Sequence, residues 1–542
     1  MKIALGQINT TVADVSGNLS RLKDCARRAR LAGADLAVFP EQALGGYPAL
    51  DLWEDYDFLK QSERALHDLA RCTGEMALLV GCSVKNPRRV GKPLLNAAAL
   101  LHQGRIKALR AKTLLPTYDV FDERRYFEPA EENAPVRFGG LRLAISICED
   151  LWARAPGRSR NLYNQDPIAR QIRLGADLII NLSASPFERG KTALRESLAR
   201  HHARRAKAPL LYCNLVGGND ELVFDGSSFV MDAQGQVVAR GKRCAEDLLI
   251  VDTDDLPRAA VPAELGGAGE LEEALVLGIR DYLRKCSIAK AFIGLSGGID
   301  SAVVCALAVK ALGPGAVTGV AMPSLYSSRE SVQDAQALAR ALGIRFLSLP
   351  ITEIYETCLR TLGKPFGEGA VGVAEQNIQA RVRGSLLMAL ANQEGGIVLS
   401  TGNKSELSVG YCTLYGDMCG GLAVIADVPK TAVYELARWL NRKKTIIPQR
   451  SIDKAPSAEL KPNQKDQDDL PPYETLDAIL QGYVEEKLKA EDIIRQGFSA
   501  KLVREVLSRI DRFEYKRRQA APCLKISAKA FGVGRRMPIA RG

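Results

Sequence analysis

The first 250 residues alternate short apolar runs with polar, helix-periodic ones. Lys2–Ile8 reads as a strand and Ser20–Ala32 as an amphipathic helix. Asp35–Phe39, Met76–Gly81, Asn96–Leu101, Leu141–Cys148, Leu178–Leu182 and Leu210–Asn214 read as further strands. Phe229–Asp232 and Gln236–Ala239 flank Ala233-Gln234-Gly235, which predicts a hairpin. The alternation predicts an α/β sheet domain. From Asp252 to Glu270 the period is lost among Pro, Gly, Ala and acidic residues, which predicts a linker. A helix at Glu270–Lys285 follows. Next come strand Ala289–Leu295, helix Ser301–Leu312, strand Ala316–Met322, helix Arg329–Leu342 and strand Arg345–Leu349. That βαβαβ run predicts a doubly wound parallel sheet. Two polar stretches, Gly363–Gly372 and Asp453–Tyr473, are expected to be mobile lids or plain loops.

Chemistry enters at the turn after Ala289–Leu295. The segment Gly294-Leu295-Ser296-Gly297-Gly298-Ile299-Asp300-Ser301 places two glycines and two serines between a strand and a helix. Such a turn aims backbone N–H groups and a helix N-terminus at one point, an anion cradle. The Lys-Ser/Thr of a Walker loop is missing, so simple γ-phosphoryl transfer is disfavoured. Ser-Gly-Gly-x-Asp-Ser resembles the pyrophosphate loop of ATP pyrophosphatases, which implies attack on the α-phosphate of ATP and an adenylated intermediate.

A second constellation lies in the first half. In Leu141–Asp150 the odd positions are bulky and apolar. Arg142, Ala144, Ser146 and Cys148 share the other face, so Cys148 is expected to end a strand facing small side chains. Glu149 and Asp150 alone would raise its thiol pKa, so a reactive Cys148 needs a cation and a base nearby. Glu41, after Val38-Phe39-Pro40, and Lys112, before Thr113-Leu114-Leu115-Pro116, can supply them. This trio resembles the nitrilase superfamily, with Glu41 as general base, Lys112 as oxyanion stabiliser and Cys148 as nucleophile. No histidine is required, which suits a chain whose four histidines all lie at or before residue 202. The same count excludes a Ser-His triad or a His-ligated zinc from the second half.

Composition narrows the rest. The 542 residues are 46% hydrophobic and 25% charged, with room for more than one core. No apolar run approaches the roughly 18 to 20 residues of a membrane span, and Met1–Gln7 carries no leader pattern. No membrane partner and a cytoplasmic location are expected. The 12 cysteines form no Cys-x-x-Cys pair. The net charge of +11 is concentrated at one end, since residues 501–542 hold 12 Lys or Arg against 3 Asp or Glu, a net +9. That tail is either a solvated basic segment or a partner for a phosphorylated small ligand. Only Phe513, Tyr515 and Phe531 could stack on bases there, so no nucleic acid partner is expected.

The two halves together resemble the glutamine-dependent NAD synthetases. The match rests on Tyr118–Phe127, Asn181–Phe187, Asn377-Ile378-Gln379-Ala380-Arg381, Ser400–Glu406, Tyr415-Gly416-Asp417 and Lys525–Gly532. It implies a nitrilase-like α-β-β-α sandwich over residues 1–252, a linker at 253–270, and at 271–542 a doubly wound synthetase domain like the adenine nucleotide α-hydrolases. It implies that glutamine is hydrolysed in the first domain and that ammonia passes through an internal tunnel. In the second domain ATP and Mg²⁺ would adenylate deamido-NAD, which ammonia converts to NAD. Tyr118, Ser185 and Lys191 match glutamine-binding positions, and Tyr47 the ammonia exit. Thr401 joins Gly294–Ser301 at the ATP site. Asn377, Arg381, Glu406 and Lys525 match deamido-NAD positions. Glu406 and Asp417 are implied as metal ligands or ligand contacts, and Lys430 and Ser457 as neighbours of the phosphates. The family forms homo-oligomers. No Gly-x-Gly-x-x-Gly fingerprint follows a predicted strand, so NAD is expected as product, with no redox cofactor.

Overall fold

The structure, a computed structural model, describes residues 1–154, 162–257, 261, 266–366 and 372–541. The chain divides into two compact units, Met1–Leu265 and Gly266–Gly542. The expected linker, 253–270, runs into a helix that begins at Ala268; 258–260 and 262–265 lie outside the described residues.

In the first unit, β1 (Lys2–Gln7), β2 (Leu36–Val38), β3 (Ala77–Lys85), β4 (Leu94–His102) and β5 (Arg105–Ala111) belong to one six-stranded sheet. β6 (Val136–Phe138), β7 (Leu141–Ile147), β8 (Leu178–Ser183) and β9 (Leu210–Asn214) belong to a second. β10 (Val216–Asn219) and β11 (Leu222–Asp225) form a hairpin of their own. β12 (Phe229–Met231) and β13 (Val237–Arg240), the hairpin expected around Ala233-Gln234-Gly235, complete the second sheet, and β14 (Asp247–Asp252) closes the first.

Two-residue alternation explains how the sheets stack. Ile3, Leu5, Leu36, Val38, Leu79 and Leu100 of the first sheet meet Leu143, Ile145, Ile147, Ile180, Leu182 and Leu211 of the second in one buried core. Each such side chain contributes about 1.5–3 kcal/mol by leaving water. The opposite face of the first sheet packs on helices α1 (Val15–Leu31) and α2 (Tyr56–Arg71). That of the second packs on α3 (Pro167–Arg173) and α4 (Lys191–Ala206). The result is the α-β-β-α sandwich.

The second unit opens with α5 (Ala268–Lys285) and holds a five-stranded, all-parallel sheet. Its strands are β15 (Ala291–Gly294), β16 (Val317–Ala321), β17 (Arg345–Ser348), β18 (Ile397–Ser400) and β19 (Leu422–Ala423), in the order β17-β16-β15-β18-β19. The order reverses beside β15, so the loop leaving β15 sits at a topological switch point, where doubly wound sheets bind ligands. α6 (Ile299–Leu312), α7 (Arg329–Leu342), α8 (Thr352–Phe366) and α9 (Val373–Glu394) precede β18. α10 (Lys404–Ser408) and α11 (Lys430–Leu440) follow it. Of the two expected mobile stretches, Gly363–Phe366 belongs to α8, while 367–371 lies outside the described residues. Residues of Asp453–Tyr473 line the cavity described below. The basic tail is not freely solvated: Arg517 and Lys525 are buried, and Arg535 pairs with Glu514.

Candidate active sites

Three strand ends of the first unit converge. Glu41 follows β2, Lys112 follows β5 and Cys148 follows β7. All three are buried, Lys112 and Glu41 completely. Lys112 Nζ donates to Glu41 Oε1 and to Glu123 Oε1, each at 2.8 Å. Asn96 Nδ2 donates to Glu41 Oε1 at 2.7 Å, and the amide of Ala184 donates to Oε2 at 3.0 Å. Gly81 allows this closeness, because a Cβ there would lie 2.3 Å from the Pro40 carbonyl and 2.5 Å from Glu41 Cα.

Cys148 does not sit as the alternation predicts. β7 stops at Ile147, and Cys148 takes φ +42° at the start of a 3₁₀ turn through Trp152. Its side chain joins the core between the sheets with Leu143, Ile145 and Ile147, away from Ala144. A non-glycine residue held at positive φ stores about 1–3 kcal/mol of strain. Burial and then Glu41 push the thiol well above its ordinary pKa, while Lys112 opposes them. The resting group is a thiol that needs a base. Burial works against the Lys112 ammonium too, but Glu123 and Glu41 outweigh it and hold it well above the usual lysine range. Removing one partner of such a buried set costs about 3–5 kcal/mol.

Glu123 is the residue that sequence reasoning left unassigned. It is buried, accepts from Tyr47 Oη at 3.0 Å as well as from Lys112, and burial pushes its carboxyl up to about 7. Its only signal is its place in the Tyr118–Phe127 segment. The Tyr47 expected at the ammonia exit is thus tied to this cluster. Of the expected glutamine contacts, Tyr118 Oη donates to Glu149, next to Cys148, at 2.8–2.9 Å. Ser185 follows Ala184 and is held by Arg195 Nε and Asn214 Oδ1. Lys191 Nζ lies 5.8 Å from the ring centre of Trp152. All three therefore border the Cys148–Trp152 turn or the Glu41 contact.

In the second unit, Gly294, Leu295, Ser296, Gly298, Ile299, Asp300, Ser301 and Thr401 line a cavity of about 580 Å³. Gly297 backs that loop at φ +79°, where a Cβ would lie 2.3 Å from the Ser331 carbonyl oxygen. Ser296 Oγ accepts the Gly298 amide at 3.2 Å, and Ser301 Oγ donates to the Gly298 carbonyl at 3.0 Å. Asp300 accepts from Asn403 Nδ2 at 3.0 Å and from Lys430 Nζ. Lys430 also donates to Glu406 Oε1 at 3.0 Å, as does Tyr473 Oη at 3.2 Å. Burial pushes the Glu406 carboxyl up to about 7 against the pull of Lys430.

Asn377, Glu406, Asp417, Lys430 and Ser457 line the same cavity; Arg381 and Lys525 do not. Arg381 is exposed and its Nε donates to the Leu414 carbonyl at 3.2 Å, while buried Lys525 donates to the Ser527 carbonyl at 2.7 Å. Arg383, Lys454, Arg509 and Lys516 are cations that line the cavity without having been singled out in the sequence. A magnesium ion beside the Gly294–Ser301 loop would find carboxylate oxygens on Asp300 and Glu406, the donor type that ion prefers. Asp417 Oδ1 is engaged by the Thr413 amide at 2.6 Å. Among the described residues no cluster of three or more His, Cys, Asp or Glu forms a metal cage, and no helix is long and apolar enough to cross a membrane.

A sandwich carrying a Glu-Lys-Cys cluster and a doubly wound sheet carrying a Ser-Gly-Gly-x-Asp-Ser loop define a two-part α/β enzyme. Residues 2–260 match the carbon-nitrogen hydrolase family and residues 271–520 the NAD synthase family. The chain is 48% identical to a glutamine-dependent NAD(+) synthetase of Synechocystis sp. over 99% of its own length and 98% of the relative's. It is 43% identical to that of Thermotoga maritima, with the same coverage. Among solved structures, the glutamine-dependent NAD+ synthetase of Acinetobacter baumannii in complex with ADP is 37% identical, with a TM-score of 0.78 over 99% of this chain and 98% of that one. The chain belongs to the glutamine-dependent NAD(+) synthetases.

Proposed function

We propose that this enzyme converts deamido-NAD to NAD with ATP, taking ammonia from glutamine. The observation that carries the reading is the presence in one chain of the buried Glu41–Lys112–Cys148 cluster and the Gly294–Ser301 loop.

In the first unit Cys148 Sγ attacks the glutamine carboxamide carbon as Glu41 takes the thiol proton. That proton leaves with the amide nitrogen as ammonia, and a thioester remains. The Lys112 ammonium supports the oxyanion of each tetrahedral intermediate. Glu41 then takes a proton from water, which cleaves the thioester to glutamate. Tyr118, Ser185 and Lys191 hold the amino-acid end of the substrate.

In the second unit a nicotinate carboxylate oxygen of deamido-NAD attacks the α-phosphorus of ATP, and pyrophosphate leaves into the Ser296–Ser301 loop. The loop amides, the N-terminus of α6 and Lys430 receive its charge. Asp300 and Glu406 would hold magnesium, which when bound would neutralise charge on the leaving pyrophosphate. Ammonia attacks the acyl carbon of the adenylate and AMP departs. Thr401 contacts ATP, and Asn377 and Glu406 orient deamido-NAD. Arg383 and Lys516 supply a cationic wall of the cavity. The same reading has the enzyme working as a cytoplasmic homo-oligomer. With glutamine labelled with ¹⁵N at its amide, NAD is expected to carry the label in its carboxamide. NAD formed from that glutamine without the label overturns the reading.

A further inference from the structure

Asp150 stands two residues after Cys148 and is 1% exposed. Its Oδ1 accepts the amides of Thr113 and Leu114 at 3.0 and 2.9 Å, and its Oδ2 accepts the amide of Ile147 at 3.0 Å. The first two amides come directly after Lys112. The third comes directly before Cys148. Thr113 continues from β5 of the first sheet, whereas Ile147 ends β7 of the second. One carboxylate thus bridges the two sheets at the point where each delivers a member of the trio.

The core between the sheets cannot do this by itself. Aliphatic burial is nondirectional and fixes a spacing between layers far better than a lateral register. Hydrogen bonds weaken steeply with angle, so three of them set direction as well as distance. The geometry also demands an acid. Three N–H donors need atoms that only accept, which an ionised carboxylate offers and a carboxamide does not. In an asparagine, one N–H of the side chain would oppose a backbone N–H, and one end of the bridge would open.

We propose that Asp150 is a positioning residue that holds Lys112 in register with Cys148 across the two sheets. The proposal rests on the reading of Lys112 as oxyanion support and Cys148 as nucleophile. It makes Asp150 matter to the rate of thioester chemistry more than to glutamine binding, because the oxyanion and the thiol must meet within a fraction of an ångström. A misplacement of about 1 Å costs on the order of 100-fold in rate.

The test is Asp150→Asn in the full chain, with glutamate release measured against glutamine concentration. Rates are counted per active thiol, titrated with a diazoketone analogue of glutamine that alkylates Cys148. The expected result is a per-site kcat about 100-fold lower, a KM within about threefold of the parent's, and an unchanged ammonium-dependent rate of NAD formation. Asp150→Glu, which keeps the carboxylate, is expected to recover at least about tenfold of the loss. If Asp150→Asn does not accumulate as folded protein, the per-site rate of Asp150→Glu decides: about tenfold below the parent supports the bridge. A per-site kcat equal to the parent's, in whichever variant folds, overturns it. So does a loss that disappears once rates are counted per active thiol. A parent enzyme that releases no glutamate would instead defeat the glutaminase reading.

Discussion

Cys148→Ala is expected to lower glutamine-dependent NAD formation by at least about 10⁴-fold, as removal of a catalytic nucleophile does, while ammonium-dependent formation stays at the parent rate. The split follows from where the thiol sits. It lies in the first unit, between the two sheets, among Leu143, Ile145 and Ile147. The Gly294–Ser301 loop and its carboxylates lie in the second. Alanine removes one buried sulfur, returns no charge to the core and leaves the Lys112–Glu41–Glu123 ion pairs complete. The fold therefore has little reason to change. The check is NAD formation from deamido-NAD and ATP with each donor. Loss of both activities would show that Cys148 serves the fold, and retention of both would remove it from the reaction.

Asp300→Ala is expected to lower the rate with either donor, by about 10²–10³-fold, the scale seen when one preorganised electrostatic contact is deleted. Asp300 stands in the first turn of α6 and gathers Asn403 and Lys430 onto the phosphate loop. Without it the Lys430 ammonium keeps Glu406 as partner, so no buried charge is orphaned and the unit should still fold. Lys430 would turn from the loop toward Glu406, and a magnesium ion held there would lose the Asp300 carboxylate. Both losses fall on the adenylation step, which precedes the use of ammonia from any source. The check is the initial rate with glutamine and with ammonium. A normal rate with ammonium would show that the loop does not bind the leaving pyrophosphate.

Much of this was legible in the chain. β9 and α7 fall where their periodicity places them, Leu210–Asn214 and Arg329–Leu342, because each has a clean apolar period and a clear stop. α4 was not legible. Its buried face includes Arg195 and His202, whose charge and polarity hide the apolar stripe. Arg195 is tolerated inside because its Nη1 donates to both carboxylate oxygens of Asp225 at 2.8 Å. Cys148 escaped the alternation because the strand ends one residue early and the backbone turns left-handed there. Glu123 was invisible to periodicity because it stands in a single 3₁₀ turn, buried beside Lys112, Tyr47 and Asn96. The arginines of α9 show a different limit. Arg381 and Arg383 are two positions apart, about 200° around a helix, so only one can face the cavity. Resemblance named Arg381, and the structure turns Arg383 inward, its Nε donating to the Met322 carbonyl at 3.0 Å.

The central claim is that one chain couples glutamine hydrolysis to adenylation of deamido-NAD. The most direct measurement follows the products formed from deamido-NAD, ATP, magnesium and glutamine. NAD, AMP and pyrophosphate should rise together in equal amounts, with at least as much glutamate released. NAD appearing with ADP and inorganic phosphate, or AMP and pyrophosphate released without NAD, would contradict it.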